Sequence, residues 1–278
     1  MFRLRRSYPQ ENAAPRIYSY WKALFLSFYS PKLYVDVVQR WKGCGILYLL
    51  FLSFVLGLLW SAKSIWDMEY TFEHFIKPNM RQVPNLMVQN GQIAIPPHIP
   101  FPNSDVFRLD ANGKLVVLVD PAGKASEAER TEALVLMTSN LIRVHSDSGS
   151  GLMVPSMIQL PSDTNGEIGQ KQLMDLVDRA HDNLLYLVYP FSVSVLFWTM
   201  LMSLFMFSFL GKMIAKVSFH YIISFKQSFR LVCVAASPVS IVFFLFYLLG
   251  WVNQYIGIPL LAFLSLYYFF GIRSNKLK

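Results

Sequence analysis

The sequence predicts an α-helical polytopic membrane protein with four transmembrane helices and an α+β extracytoplasmic domain inserted between helices 1 and 2. Three observations carry that expectation. Four runs, 44–62, 184–210, 231–252 and 255–272, contain no Asp, Glu, Lys or Arg, and each is close to the ~20 apolar residues that cross a hydrocarbon core. The chain is 54% hydrophobic and 15% charged, against a usual charged fraction of roughly 25%. Its 17 acids are confined: 15 lie in residues 63–183, and the last 95 residues hold none but carry seven Lys and Arg.

The charges also predict an orientation. Residues 1–43 carry a net +6, 63–183 a net −5 and 184–278 a net +7. Positive-inside asymmetry is a Lys/Arg count near short loops. It puts residues 1–43, 211–230 and 273–278 in the cytoplasm and 63–183 on the far side. The first apolar core begins only at Cys44, so the first span reads as an uncleaved anchor rather than a signal peptide. Cys44 and Cys233 fall at the expected cytoplasmic ends of spans, and 63–183 has no cysteine. That fits a bacterial envelope domain folded by its own core.

Residues 18–42 read as two short helices. Trp21, Leu24, Phe25 and Phe28 share one face of the first, and Tyr34, Val37, Val38 and Trp41 repeat the spacing in the second. Ser30 and Pro31 supply an N-cap and a first-turn proline between them. Lys32, Asp36 and Arg40 are spaced for salt links, and Gly43 and Gly45 allow a bend into the first span. Aromatics opposite bases predict helices lying in the headgroup plane.

Helical period continues from Lys63 through Ile65, Met68, Phe72, Phe75 and Ile76, where Pro78 should end it. Asn90-Gly91, between 86–88 and 93–95, predicts a hairpin because both residues accept positive φ. Asn112-Gly113, between 106–109 and 114–119, predicts a second. Segments 133–137 and 141–144 predict a third pair. A Pro-rich link (96–102) and a Gly/Ser loop (146–151) separate these elements. Leu173, Leu176, Val177 and Ala180 restore a helix that runs into the second span.

Residues 211–230 predict one cytoplasmic amphipathic helix. At 100° per residue Lys212, Lys216, Lys226 and Arg230 fall within about 80°, opposite Ile214, Val217, Tyr221, Phe225 and Phe229. This stripe would face an anionic inner leaflet or an acidic partner. Pro190 and Pro238, among small polar residues, predict kinks in helices 2 and 3, either for close packing or to open a groove.

No catalytic constellation emerges. His74, His98, His145, His181 and His220 lack metal-ligand spacing. His145, Asp147 and Ser148 contain the groups of a hydrolase triad but are nearly consecutive. Gly149-Ser150-Gly151 lacks the rest of a phosphate loop. His181-Asp182 could sense pH or simply end a solvated helix. The spans hold no ionisable side chain of the kind proton pathways use.

The stretch Phe25–Tyr34 with Arg40-Trp41-Lys42-Gly43, the stretch Val83–Gly91, and Val116–Asp120 resemble a family of uncharacterised bacterial membrane proteins, domain of unknown function 1189. The resemblance covers nearly the whole chain and brings no catalytic residues. Some members are labelled as associated with maltodextrin use, which would imply a transport accessory.

The expectation is therefore a non-enzymatic, multi-pass bacterial inner-membrane protein, an accessory, scaffold or sensor. Its 63–183 domain would meet an envelope partner or ligand. The alternative is a small transporter or lipid-handling protein using a groove between helices 2 and 3. No cofactor, metal or nucleic acid is expected.

Overall fold

The computed structural model describes residues 15–94, 106–111, 113–144, 156–160, 165–252 and 255–276. Outside these lie the Pro-rich link 96–102 with His98, the 146–151 loop with its triad-like neighbours His145, Asp147 and Ser148, and also Asn112, Asn253 and Gln254. The chain divides into two compact units, one of residues 1–60 with 193–278 and the other of residues 61–192.

Among the described residues four helices are long and apolar enough to cross a membrane: Ile46–Met80, Gln170–Ser218, Phe225–Leu248 and Gly257–Lys276. The first comprises α3 (Ile46–Thr71), a π-helical turn (Phe72–Ile76) and α4 (Lys77–Met80). Pro78 does not end it. A proline ring clashes with the carbonyl four residues back, and the wider π turn just before Pro78 relieves that crowding. The chain stays helical to Met80.

In the first unit, α1 (Tyr20–Leu26) and α2 (Pro31–Gln39) precede α3. The predicted face of α1 splits: Leu24 is buried, whereas Trp21 and Phe25 are exposed. All six residues from Leu33 to Val38 are buried in α2, so more than its aromatic face is packed inside the protein. Asp36 is 3% exposed. It accepts N–H groups from Ile17 and from Trp41 Nε1, with Arg40 3.9 Å away. A buried carboxylate needs such donors, and they explain why a charged residue sits inside. Gly43 and Gly45 do make the bend into α3, with φ of 77° and 88°.

The long helix α6 (Gln170–Ser218) from Val193 onwards and the helices α7 (Phe225–Leu248) and α8 (Gly257–Lys276) complete this unit. Every residue of α7 from Gln227 to Pro238 is buried, which makes it the central helix. Tyr34, Tyr48, Leu49, Leu204, Tyr268 and Ile272 pack into the same core. Small residues set the spacing, as expected where lipid gives helices no hydrophobic reason to associate. A Cβ on Gly57 would meet Val193 Cγ2 at 2.6 Å, and one on Gly271 would meet Tyr34 and Leu231 at 2.8 Å. Beyond α7, Gly250 (φ 72°) takes the left-handed position. Its N–H reaches Tyr247 O at 3.1 Å, and that of Trp251 reaches Phe246 O at 2.9 Å. This is a Schellman cap, with Trp251 and Phe246 supplying its apolar contact.

Residues 211–230 are not one helix. Residues 211–218 end α6, the chain is non-helical through 219–224 with His220 at φ 49°, and α7 begins at Phe225. The cause is local. Ser224 Oγ accepts the Gln227 N–H, and Gln227 Oε1 accepts the Ser224 N–H, a capping box that starts a new helix.

The second unit holds two sheets. The smaller has the order β2-β1-β8, built from β1 (Leu86–Gln89), β2 (Gln92–Ala94) and β8 (Gly166–Ile168), all antiparallel. The larger has the order β3-β4-β5-β6-β7. Its strands are β3 (Phe107–Ala111), β4 (Lys114–Val119), β5 (Val135–Met137), β6 (Leu141–Val144) and β7 (Ser156–Gln159). All three expected pairings are present, with Asn90 (φ 53°) and Gly91 (φ 72°) at the first turn. The sequence reading missed β7, β8 and α5 (Glu127–Glu132), the crossover that makes β4 and β5 parallel. Strand β4 is buried on both faces: Val117 and Val119 join the main core, while Leu118 packs with Val106, Ala125, Ala133 and Leu136. Its unbroken apolar run is the signature of such a strand.

Candidate functional site

The bases of the expected stripe do not act together. Lys212 and Lys216 are exposed near the end of α6, and Lys226 is exposed in the first turn of α7. Arg230 is 0% exposed, the largest fully buried side chain described. Its Nε–H donates to Lys226 O at 3.4 Å, and its backbone and Cγ leave only 3.2 Å to a Cβ on Gly45. The stripe is thus reduced to three exposed lysines on two helices.

The two prolines also part company. Pro190 lies exposed within α6, while Pro238 is buried within α7. The turn around Pro238 contributes Ala236, Val239 and Ser240 to a groove of about 180 Å³. Thr199, Met200, Ser203 and Leu204 of α6 and Leu264 of α8 close it. Pro190 takes no part in this groove. Three hydroxyls, those of Thr199, Ser203 and Ser240, give an otherwise apolar lining its only polar character. The volume is below the roughly 300 Å³ at which drug-sized pockets begin.

Next to this groove the bundle core contains paired hydroxyls. Tyr48 OH and Ser237 Oγ are 2.6 Å apart, and Ser228 Oγ lies 2.9 Å from both Tyr268 OH and Ser208 O. Tyr34 OH donates to Ser27 O at 2.6 Å. These bonds satisfy polar groups inside an apolar bundle. Cys233 is buried and Cys44 half-buried, both as free thiols.

In the second unit the most concentrated set of titratable groups surrounds His181. It is 5% exposed rather than solvated at a helix end. Its ring lies parallel to that of Phe72, with centroids 3.9 Å apart and 8° between planes. Its Nε2 is 3.6 Å from Glu69 Oε2. Lys77 Nζ sits 5.7 Å from the centre of the Phe72 ring and pairs with Glu73 at 2.6 Å. The π turn presents Phe72 to α6, a placement the helical repeat alone does not show.

A second charged cluster closes the β4–α5 connection. Asp120 accepts N–H groups from Lys124 and Ala125 at 2.8 and 3.1 Å, and Arg130 Nη2 is 2.6 Å away. Burial alone would raise its pKa, but these donors outweigh burial and hold it below the usual carboxylate value. Arg108 grips Glu129, whose side chain also accepts from Ser126, and together they bring Glu129 down to about 2. Both are structural clasps around a turn. Among the described residues no three His, Cys, Asp or Glu side chains are grouped to hold a metal ion.

No curated protein and no solved structure matches this chain. Residues 21–272 match a family described as protein of unknown function DUF1189. That stretch takes in both sheets and all of the described helices but the first residue of α1 and the end of α8, and the chain belongs to this family.

Proposed function

We propose that the chain is a non-enzymatic accessory, scaffold or sensor of the bacterial inner membrane, with residues 63–183 on the extracytoplasmic side receiving a protein partner or ligand. The observation that carries this reading is the continuity of α6, one unbroken helix from Gln170 to Ser218. Its 49 residues are more than twice the ~20 that cross a hydrocarbon core. A helix of that kind turns an event at its outer end into a tilt or rotation of a span. The parallel His181 and Phe72 rings fix its outer portion against the π turn. The Lys and Arg of residues 1–43, 211–230 and 273–278, which flank the spans, support the orientation.

The test is photo-crosslinking in cells from Trp66 and Met157, which are 74% and 54% exposed. A discrete crosslinked partner, and loss of its recovery when residues 63–183 are replaced by a short linker, is the expected result. A chain that captures nothing, and whose deletion variant complements fully, refutes the reading.

The groove beside Pro238 favours a second reading, a small transporter or lipid-handling protein. Solute or lipid that co-purifies with the wild-type protein and is displaced by Ser240→Leu would support it. A lipid complement unchanged by that substitution would reject it.

A further inference from the structure

The contact that seats the outer portion of α6 contains a buried imidazole. His181 lies three residues before the uncharged run 184–210, and its ring is flat against Phe72 of the π turn. Its Nε2 is buried and has no hydrogen-bond partner among the described residues. Glu69 Oε2 is 3.6 Å away, beyond hydrogen-bond reach. A neutral imidazole can leave that nitrogen as a bare acceptor, with its proton on Nδ1. A protonated one would carry an N–H there with nothing to receive it, and a charge held out of water.

Charged groups converge on this ring from four elements. They are Glu69 of α3, Glu73 of the π turn, Lys77 of α4, and Asp178 and Asp182 of α6 itself. Burial has the largest effect on the ring and disfavours its charged form. Glu69 opposes that most, ahead of Asp182 and Asp178, but its side chain is 48% exposed and screened by water. Glu73 is already held by Lys77 at 2.6 Å. Phe72 gives a charged ring no refuge either. Lys77 Nζ lies 5.7 Å from the centre of that ring, so an imidazolium stacked there would share one aromatic quadrupole with a second cation. Away from Phe72, the charged ring gains both water and the Glu69 carboxylate.

We propose that His181 is a proton-operated latch between α3 and α6, whose protonation in mild acid breaks the stack on Phe72 and frees the outer portion of α6. The latch is complete above the ordinary imidazole value of about 6.5. It gives way as pH falls below that, because the open form takes the proton more readily than the closed one. His74, on the same π turn, is exposed and stacked on Tyr70, so a proton there unburies nothing. The latch deepens the sensor reading by naming protons as the signal, and in that role it rests on that reading. The opening itself belongs to the chain alone.

The test is hydrogen exchange of the full-length protein in detergent from pH 7.5 to 5.0, corrected for the pH dependence of chemical exchange. Opening of peptides covering Phe72–Ile76 and residues 178–182 should rise by up to about tenfold per pH unit below about 6.5, while peptides from the centre of α7 stay level. His181→Phe, which keeps the stack and removes the titrating nitrogens, should abolish the rise, and His74→Gln should keep it. A flat wild-type profile overturns the latch. So does a rise that survives His181→Phe or disappears in His74→Gln. These outcomes are read without any partner, so they leave the crosslinking result for residues 63–183 standing, and a missing partner leaves the latch standing.

Discussion

The hydroxyls of Tyr48 and Ser237 lie 2.6 Å apart and tie α3 to α7 at the turn that carries Pro238. Both residues are fully buried. Each hydroxyl is the other's partner within apolar surroundings, so removing one strands the other. Tyr48→Phe and Ser237→Ala should each destabilise the bundle by about 1 kcal/mol, and the double variant should cost clearly less than the sum. Unfolding of the purified protein in mixed micelles gives all three values. Strict additivity would show that the two hydroxyls do not depend on each other.

At Gly271, α8 packs closely against both α2 and α7. A Cβ there would stand 2.8 Å from both Tyr34 Cδ1 and Leu231 Cδ1. Gly271→Ala should therefore cost about 1–3 kcal/mol by overpacking. Gly257, at the start of the same helix, has nothing within 4 Å, and Gly257→Ala should be neutral or slightly stabilising. Equal melting temperatures for the two variants would contradict this packing.

Asp120 gives the second unit a defined acid sensitivity. Its pKa is depressed in the folded chain, so its contribution is complete above the unfolded value of about 4. It is shed as pH falls from there through the lower folded value. Hydrogen-exchange protection of β4 and β5 in the full-length protein should drop over that acid range. Asp120→Asn should weaken protection at neutral pH by about 3 kcal/mol, because Arg130 loses its buried partner, and should flatten the acid response. An unaltered acid response in that variant would remove Asp120 as its source.

The His181 ring acts first as packing. His181→Phe preserves the stack on Phe72 and should stay within about 1.5 kcal/mol of the wild type. His181→Ala opens a cavity and should cost about 2 kcal/mol or more. Thermal unfolding of the two variants at neutral pH separates them. If alanine is tolerated as well as phenylalanine, the ring is not held as described.

The spans were legible because absent charge is a composition signal that no tertiary contact can disguise. The hairpins were legible for a local reason too: Asn90-Gly91 is a two-residue instruction for positive φ. Periodicity failed at 211–230 because an angular plot gives every residue 100°, including the six that are not helical. The break had its own marker, Ser224 with Gln227 three residues on, and Ser126 with Glu129 marks α5 in the same way. Arg230 and Asp36 could not be placed from pattern, since a charged residue is assigned outward unless its partners are known. Strand β8 escaped because its pairing is with β1, far away in sequence. The groove residues on α6 and α7 were within the segments the prolines singled out, but Pro190 proved to be a misleading guide to them.

The pairing of β1 with β8 has a consequence for biogenesis. Leu86 meets Ile168 across the ladder, Asn85 Nδ2 holds Glu167 Oε1 at 2.8 Å, and the Asn90 N–H reaches Asn165 Oδ1 at 2.6 Å. Until residues 165–168 have been synthesised and delivered to the same side of the bilayer, β1 and β2 form a two-strand hairpin, marginal by itself in water. The small sheet is thus completed by the last residues before α6. A chain stalled before that point leaves the β1 edge unpaired, whereas one that has reached α6 has β1 covered on both sides.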